Sequence, residues 1–142
     1  MNFNRNNTVE GSFTGKFETE ANAGRTSVTL KVEAFKPTEQ LKVPAGATHF
    51  LFVNSISVIS DYVYNSLTKI YEPIEPTLNE LSKVTYSDYI EIVPGENPEV
   101  SIESALAGTP VMTENVSLLS LLELNFLKKQ VKITMYFLLE TA

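Results

Sequence analysis

Residues 43–59 carry the clearest structural signal of this chain, because they combine a turn, the single histidine and the most persuasive central strand. Pro44 and Gly46 give a turn signal, and an apolar stretch follows from His49. Because both faces of that stretch are apolar, it predicts a central strand that is covered on both sides or meets another molecule. Phe50, Phe52, Ile56 and Val58 fall on one face, and Leu51, Val53 and Ile59 on the other.

Shorter segments on either side alternate with the same period of two, which is typical of half-buried strands. Residues 9–17 contain Gly11 and Gly15, which suggest a bulge or the close approach of a neighbour. Residues 26–35 place Val28, Leu30, Val32 and Ala34 inward and end before Pro37. Further strands are predicted at residues 62–64, 86–93 and 100–106, the second of them ending at the Pro94-Gly95 turn. A closing hairpin is predicted from residues 116–127 and 131–140.

Two segments leave a helix open as an alternative. In residues 117–124, Leu118, Leu121 and Leu122 also have helical spacing, but we favour a strand because the partner segment alternates clearly. Residues 77–80 have the spacing of a capping box, which predicts one short helix near residues 77–83. The whole pattern predicts a single all-β domain over residues 1–142. It would be an antiparallel β-sandwich of immunoglobulin or fibronectin type III kind with about seven or eight strands.

Composition narrows the classes of function. The chain has no cysteine, which excludes thiolate catalysis, thiolate metal sites and a disulfide scaffold. The net charge is −6 and only Arg5 and Arg25 supply guanidinium groups, so we predict no nucleic-acid partner. No stretch is apolar for long enough to span a membrane, and the first residues do not form a signal peptide. The compartment stays open, with the cytoplasm as the default expectation.

A short signature gives a resemblance. Phe35, Lys36 and Pro37, followed by PAGATHF at residues 44–50, resemble an FxP…PxGATHF signature. That signature is found in the C-terminal half of a family of uncharacterised hypothetical proteins of Bacteroidetes type. The resemblance covers most of the chain and implies a bacterial protein whose longer relatives carry a preceding region, so that Met1 marks a boundary. The strand order is also similar to fibronectin type III domains. Neither resemblance implies an activity, since a sandwich hosts many functions.

Catalytic chemistry has little support in the sequence. His49 is the single histidine and cannot form a multi-histidine metal site, and we expect it to anchor the neighbouring turn. No calcium-loop or zinc-protease spacing occurs, and Glu96 and Glu99 beside the Pro94–Pro98 turn are expected to be solvated. We therefore predict no catalytic residue, no metal site and no cofactor. A hydrolase that uses carboxylates with help from His49 is the least favoured alternative.

Two groups of side chains are predicted to make contacts with partners. Tyrosines are the amphipathic rings available for peptide or sugar, and the second face of the closing hairpin is apolar where a sandwich normally meets water. The leading hypothesis is a non-catalytic module that acts through protein–protein association, as a homo-oligomer or within a larger assembly. The alternative is a module that binds a glycan or small ligand. The predicted interaction residues are Tyr62, Tyr64, Tyr86, Tyr89, Leu119, Leu121, Tyr136 and Leu138.

Overall fold

The computed structural model describes residues 9–128 and 131–141, with side chains described for residues 11–127. These residues form an antiparallel β-sandwich, which confirms the predicted fold class. The described residues contain ten strands, more than the number predicted, and two short helices. The strands are β1 Phe17–Ala21, β2 Ser27–Val32, β3 Ala47–Ser60, β4 Tyr62–Asn65, β5 Ile70–Pro73, β6 Ser82–Tyr86, β7 Ile90–Glu91, β8 Val100–Ala105, β9 Val116–Lys128 and β10 Val131–Thr141; the helices are α1 Val9–Ser12 and α2 Pro37–Gln40.

The strands form two facing sheets and a separate ribbon. One sheet has three strands in the order β1-β2-β8. The other has five strands, in the order β10-β9-β3-β6 with β7 also paired to β3. Strands β4 and β5 pair only with each other in the described part of the chain. All these pairings are antiparallel, and β9 and β10 form the predicted closing hairpin.

Strand β3 is the central strand that the sequence predicts. It runs for 14 residues and pairs with β9 on one edge and with β6 and β7 on the other. Its inner side chains are buried between the sheets as expected. On its outer face Leu51 and Val53 are also buried, whereas Ile59 is exposed, so the outer face is covered over part of its length only.

The inner faces bury two apolar clusters. The first is rich in phenylalanine, with Phe35 in edge-to-face contact with Phe13, Phe50 and Phe52 at ring-centroid distances of 5.1, 5.8 and 6.0 Å. Each such pair contributes about 0.5–1.5 kcal/mol beyond area burial. The second cluster joins β2, β3 and β9 at the other end of the sandwich. Its buried members are Val28, Ile56, Val58, Leu78, Leu106, Val116 and Leu118.

A polar residue crosses the interior at the middle of β3, and the sequence pattern did not point to it. Asn54 is buried, and its Nδ2 donates to the backbone oxygens of Val28 at 2.8 Å and Ile102 at 3.1 Å, both in the opposite sheet. Ser104 Oγ lies 2.7 Å from the Asn54 carbonyl oxygen. Because buried polar groups are costly unless they are bonded, this arrangement fixes the register of one sheet on the other.

The predicted strand at residues 9–17 is wrong. Its start forms α1, Phe13 makes a single bridge to Leu41, and β1 begins only at Phe17. The ring of Phe13 lies directly against the Gly15 backbone and is buried in the first cluster. The close approach expected at a glycine is therefore confirmed at Gly15. Because the ring of Phe13 packs against Gly15, Phe13 does not continue the strand ladder of β1.

The short helix predicted near residues 77–83 is absent. Residues 76–80 form turns and β6 follows from Ser82. Glu80 has a φ of 70°, outside the helical region, and its N–H donates to the Val58 carbonyl at 2.9 Å. The N–H of Val58 in turn donates to the Leu81 carbonyl, so Glu80 and Leu81 continue the ladder with β3. A single turn precedes them, in which the N–H of Asn79 donates to the Glu75 carbonyl at 2.9 Å, and it does not extend into a helix.

Two further details differ from prediction. Ala34 is exposed because β2 ends at Val32, and Phe35 is the residue that turns inward. The strand predicted at residues 86–93 is extended only at Tyr86, the last residue of β6, and at Ile90–Glu91, which form β7. The hydroxyl of Ser87 accepts the N–H of Phe52 at 2.9 Å, so a side chain takes the place of the backbone partner there. The predicted turn at Pro94-Gly95 is confirmed, with Gly95 at a φ of 116°.

Candidate interaction surface

The most exposed apolar part of the described chain is the aromatic ribbon, defined here as β4, β5 and their connecting loop (residues 62–73). In its register Tyr64 lies opposite Tyr71, and Tyr62 lies opposite Pro73. Directly opposed residues share a face, so this face carries three tyrosines. The rings of Tyr64 and Tyr71 are in edge-to-face contact with centroids 5.3 Å apart.

Exposure of the ribbon is high for side chains of this type. Tyr71 is 69% exposed, Tyr62 and Tyr64 are each 51% exposed, and Leu67 at the tip is 92% exposed. Val63 and Ile70 are exposed on the opposite face. A two-stranded ribbon of this kind has no buried face of its own. Contiguous exposed apolar side chains mark contact sites more often than single ones do.

Hydrogen bonds hold the tip of the ribbon in one shape. Asn65 Oδ1 accepts the N–H groups of Leu67 at 3.0 Å and Thr68 at 3.4 Å, and its Nδ2 donates to Glu72 at 2.9 Å. The N–H of Lys69 donates to the Asn65 carbonyl at 2.7 Å, with Lys69 at a φ of 59°. The side chain of Asn65 therefore supplies the turn that presents Leu67.

The base of the ribbon is tied to the sandwich. The N–H of Ile74 donates to Asp61 at 2.8 Å, and the N–H of Asp61 donates to Asn115 at 2.7 Å. Asn79 donates from Nδ2 to the Tyr62 hydroxyl at 3.1 Å and accepts the N–H of Ser60 at 2.9 Å. These bonds set the direction in which the ribbon leaves the end of β3.

The predicted tyrosines fall in two separate places. Tyr62 and Tyr64 do not pair with Tyr86 or Tyr89, because their partner strand is β5, which supplies Tyr71. The sequence marks residues 65–84 as the least regular part of the chain, with breaks at Pro73 and Pro76, yet residues 70–73 form the partner strand β5. Tyr86 ends β6 opposite Val53, and Tyr89 lies between β6 and β7, both exposed.

The predicted apolar face of the closing hairpin is described in part. Leu119 and Leu121 are half-buried on the outer face of β9. In the register of the hairpin, Leu121 lies opposite Leu138 and Glu123 lies opposite Tyr136. The side chains of Tyr136 and Leu138 lie outside the described residues, so this part of the prediction rests on backbone register alone.

Groups that could serve chemistry are dispersed across residues 11–127. His49 Nδ1 lies 3.0 Å from the Thr48 hydroxyl, in the strand position opposite Glu91. Among the described side chains no group of three or more histidine, aspartate or glutamate residues could hold a metal ion. Arg25 donates to the backbone oxygens of Val116 at 2.9 Å and Thr113 at 2.6 Å. Its guanidinium therefore joins the β1–β2 turn to the segment before β9.

The described part of the chain contains no helix that is both long and apolar enough to cross a membrane.

Comparison with known proteins gave no match: no protein-family model, curated protein or solved structure resembles this chain. The resemblance at residues 35–50 stays a prediction.

Proposed function

We propose that this protein is a non-catalytic binding module that acts through protein–protein association, with the aromatic ribbon as its contact surface. The observation that carries the proposal is the exposure of Tyr62, Tyr64, Leu67 and Tyr71 on a ribbon whose shape is set by hydrogen bonds at both ends. Tyrosine is enriched at the centres of protein interfaces, where it combines a large apolar area with a polar end.

The order of the ribbon favours binding. Association costs about 0.5–1.5 kcal/mol for each flexible side chain that becomes fixed. The loop of the ribbon is held by Asn65, and the contact between Tyr64 and Tyr71 limits the freedom of both rings before any partner arrives. Charges on the ribbon are few, and Glu72 is engaged by Asn65 and Thr68. A partner with an apolar groove or a second copy of the ribbon fits this surface.

The proposed scaffold is of immunoglobulin or fibronectin type III kind. The division of the strands between the two sheets supports this, with β1-β2-β8 in one sheet and β6-β3-β9-β10 in the other. In sandwiches of this kind one sheet holds the second and fifth core strands, and the facing sheet holds the third, sixth and seventh. The resemblance to hypothetical Bacteroidetes proteins belongs to the same proposal. The acidic net charge of −6 accords with a protein partner and disfavours nucleic acid.

Sedimentation velocity over a range of micromolar concentrations tests the association. We expect the wild-type chain to form oligomers and the double variant Leu67→Ser, Tyr71→Ser to remain monomeric, because the variant removes the two most exposed apolar side chains of the ribbon. Val111→Ser is the matched control, since Val111 is 86% exposed outside the ribbon. Oligomers of unchanged size and strength in the double variant would contradict the proposal.

A glycan is the alternative partner of the same ribbon. The Tyr64–Tyr71 ring pair favours it, because adjacent exposed aromatic rings offer an apolar platform to a sugar. A glycan array probed with the wild-type chain and with Tyr71→Ala separates the two functions. The glycan-binding function would be accepted in place of protein association if two results were obtained together. The wild-type chain would be monomeric in sedimentation, and it would bind a defined glycan that Tyr71→Ala does not bind.

A further inference from the structure

A second candidate site lies away from the ribbon, where the two sheets open along one side of the sandwich. An edge groove of about 510 Å³ runs between β6 and β7 in one sheet and β8 in the other. This volume is within the range of about 300–1,000 Å³ that ligand sites occupy. The lining residues used below are Tyr86, Asp88, Asn97, Glu99, Ser101 and Glu103.

The ends of the groove are well defined. At one end Ser104 Oγ lies 2.8 Å from Thr85 Oγ1, so the two sheets touch there. Toward the other end Asn97 exchanges backbone hydrogen bonds with Phe35, at 3.1 and 2.7 Å, which holds the loop before β8. Between them the edges of the sheets remain apart. The groove is therefore part of the folded scaffold.

One wall of the groove is the free edge of β8. Strand β8 pairs with β2, and the N–H of Leu106 donates to Thr26 at 2.8 Å in the same register. Because the direction of backbone groups alternates along an antiparallel strand, Val100, Ile102 and Ser104 point theirs toward β2. Ser101 and Glu103 then direct their N–H and C=O groups away from β2, to the groove side. In the described part of the chain no strand pairs with this edge of β8.

The edge of β6, in the opposite wall, is protected against the addition of another strand, whereas the edge of β8 is not. Lys83 in β6 lies opposite the inward-facing Ile56, so a lysine occupies an inward position on this edge strand. Inward-pointing charges and lysines at sheet edges prevent the addition of another strand. The inward positions of β8 are Val100, Ile102 and Ser104, which are uncharged. An added strand would therefore pair with β8.

The charge of the groove selects its ligand. Asp88, Glu99 and Glu103 line it and are exposed, and no lysine or arginine is among its lining residues. The side chain of Glu103 projects on the outer face of β8, beside the place where every second side chain of an added strand would lie. Basic side chains at alternate positions would lie beside Glu99 and Glu103, with Asp88 adding negative charge from the opposite wall, while apolar ones would face Ile90 and Val100 inside the groove.

We propose that the edge groove binds an extended peptide segment of another protein, with lysine or arginine at alternate positions, by strand addition to β8. Main-chain hydrogen bonds to Ser101 and Glu103 provide affinity, and Asp88, Glu99 and Glu103 provide the preference for basic side chains. This proposal is independent of the ribbon, which lies on a different connection of the chain.

Calorimetric titration with a defined peptide tests the groove. The probe is a blocked synthetic peptide of about six residues, the common length of a strand, that alternates valine and lysine. We expect binding to the wild-type chain that weakens with rising salt, and no binding of the same peptide with glutamate in place of lysine. Equal binding of both peptides, or no binding of the lysine peptide, would overturn the proposal.

Variants of the groove separate strand addition from attraction of charge. Ser101→Pro removes an N–H at the free edge and leaves the pairing with β2 intact, so binding should weaken about tenfold, while Ser101→Ala should bind like wild type. The double variant Asp88→Asn, Glu103→Gln should lose about fivefold, through two exposed charge pairs. Its matched control is Glu80→Gln, Glu114→Gln, two exposed carboxylates outside the groove.

Backbone methylation of the peptide gives a readout that does not depend on the folding of a variant. One peptide carries N-methyl groups on its lysines and the other on its valines. In strand addition only one set of N–H groups points to β8, so one peptide should bind like the parent and the other should not bind. Equal binding of the two methylated peptides would overturn strand addition. The proposal would also be overturned if the groove bound a glycan and the double variant Asp88→Asn, Glu103→Gln no longer bound it.

Discussion

Gly15 is the residue at which a single methyl group should matter most. A Cβ at this position would overlap the ring of Phe13, which is buried among Phe17, Phe35 and Phe52. The ring cannot move outward without leaving the first cluster. We expect Gly15→Ala to lower the free energy of unfolding by about 1–3 kcal/mol, the usual cost of overpacking. Urea denaturation measures this change.

Gly24 provides the control for that prediction. A Cβ there would meet only the side chain of Thr26, at 3.9 Å, an ordinary contact. Gly24→Ala should leave the unfolding free energy unchanged or raise it by up to about 1 kcal/mol, because alanine restricts the unfolded chain. If the two variants have equal stability, the buried position of the Phe13 ring does not require a glycine at position 15.

At the level of elements, the two sheets are joined by buried polar side chains as well as by apolar packing. Asn54 donates to Val28 in β2 and Ile102 in β8. Asn54→Leu has a similar volume but leaves both carbonyl oxygens without this donor. We expect the free energy of unfolding to fall by about 1–3 kcal/mol, because two buried hydrogen bonds of about 0.5–1.5 kcal/mol each are lost. An unchanged m-value in chemical denaturation would show that the surface exposed on unfolding is the same in both proteins.

Ser120 is the matched control for Asn54 in the same sheet. It lies in β9 opposite Ile56 and is fully buried, and its hydroxyl has no hydrogen-bond partner among the described residues. Removing an unsatisfied buried hydroxyl relieves its desolvation cost, so Ser120→Ala should be neutral or stabilising. A large loss of stability in Ser120→Ala together with none in Asn54→Leu would show that hydrogen bonding between the sheets is not what Asn54 contributes.

The elements that could be predicted from the sequence are those with one or two buried faces. β3 and the β9–β10 hairpin are long enough for the period of two to be clear, and helical spacing in residues 117–124 could be set aside because a neighbouring strand was evident. The ribbon strand β5 was missed because neither of its faces is buried, so no alternation marks it, and Pro73 suggested a break.

The candidate sites depend on spatial neighbours that local patterns do not contain. Tyr62 and Tyr64 were identified from composition, but their partner Tyr71 was assigned only once β5 was known. Tyr86 belongs to the edge groove because β6 and β8 are edge strands of facing sheets, a property of the strand order. The role of Asn54 was missed because the sequence of β3 does not show which backbone carbonyls of the opposite sheet its side chain reaches.

At the scale of the whole molecule, the ribbon is an appendage that the sandwich does not need. Within the residues that the structure describes, its strands pair only with each other, and the chain on either side is already joined by the hydrogen bond from the N–H of Ile74 to the Asp61 carbonyl. The buried clusters of the sandwich contain none of its residues. Under the proposed function, binding and folding would depend on different parts of the chain, as is common where a rigid scaffold carries a contact loop.

Replacing residues 62–73 by an Asn-Gly turn tests this separation. The two strand ends meet at Asp61 and Ile74, and Asn-Gly is the tightest favourable connection between antiparallel strands. The shortened chain loses the bond from Asn79 to Tyr62, so we expect the unfolding free energy to change by no more than about 1 kcal/mol. Sedimentation should then show a monomer at concentrations at which the wild-type chain associates, and the lysine peptide should still bind the edge groove. A shortened chain that unfolds would mean that the ribbon contributes to the scaffold, whereas one that folds and still associates would place the contact surface elsewhere on the sandwich.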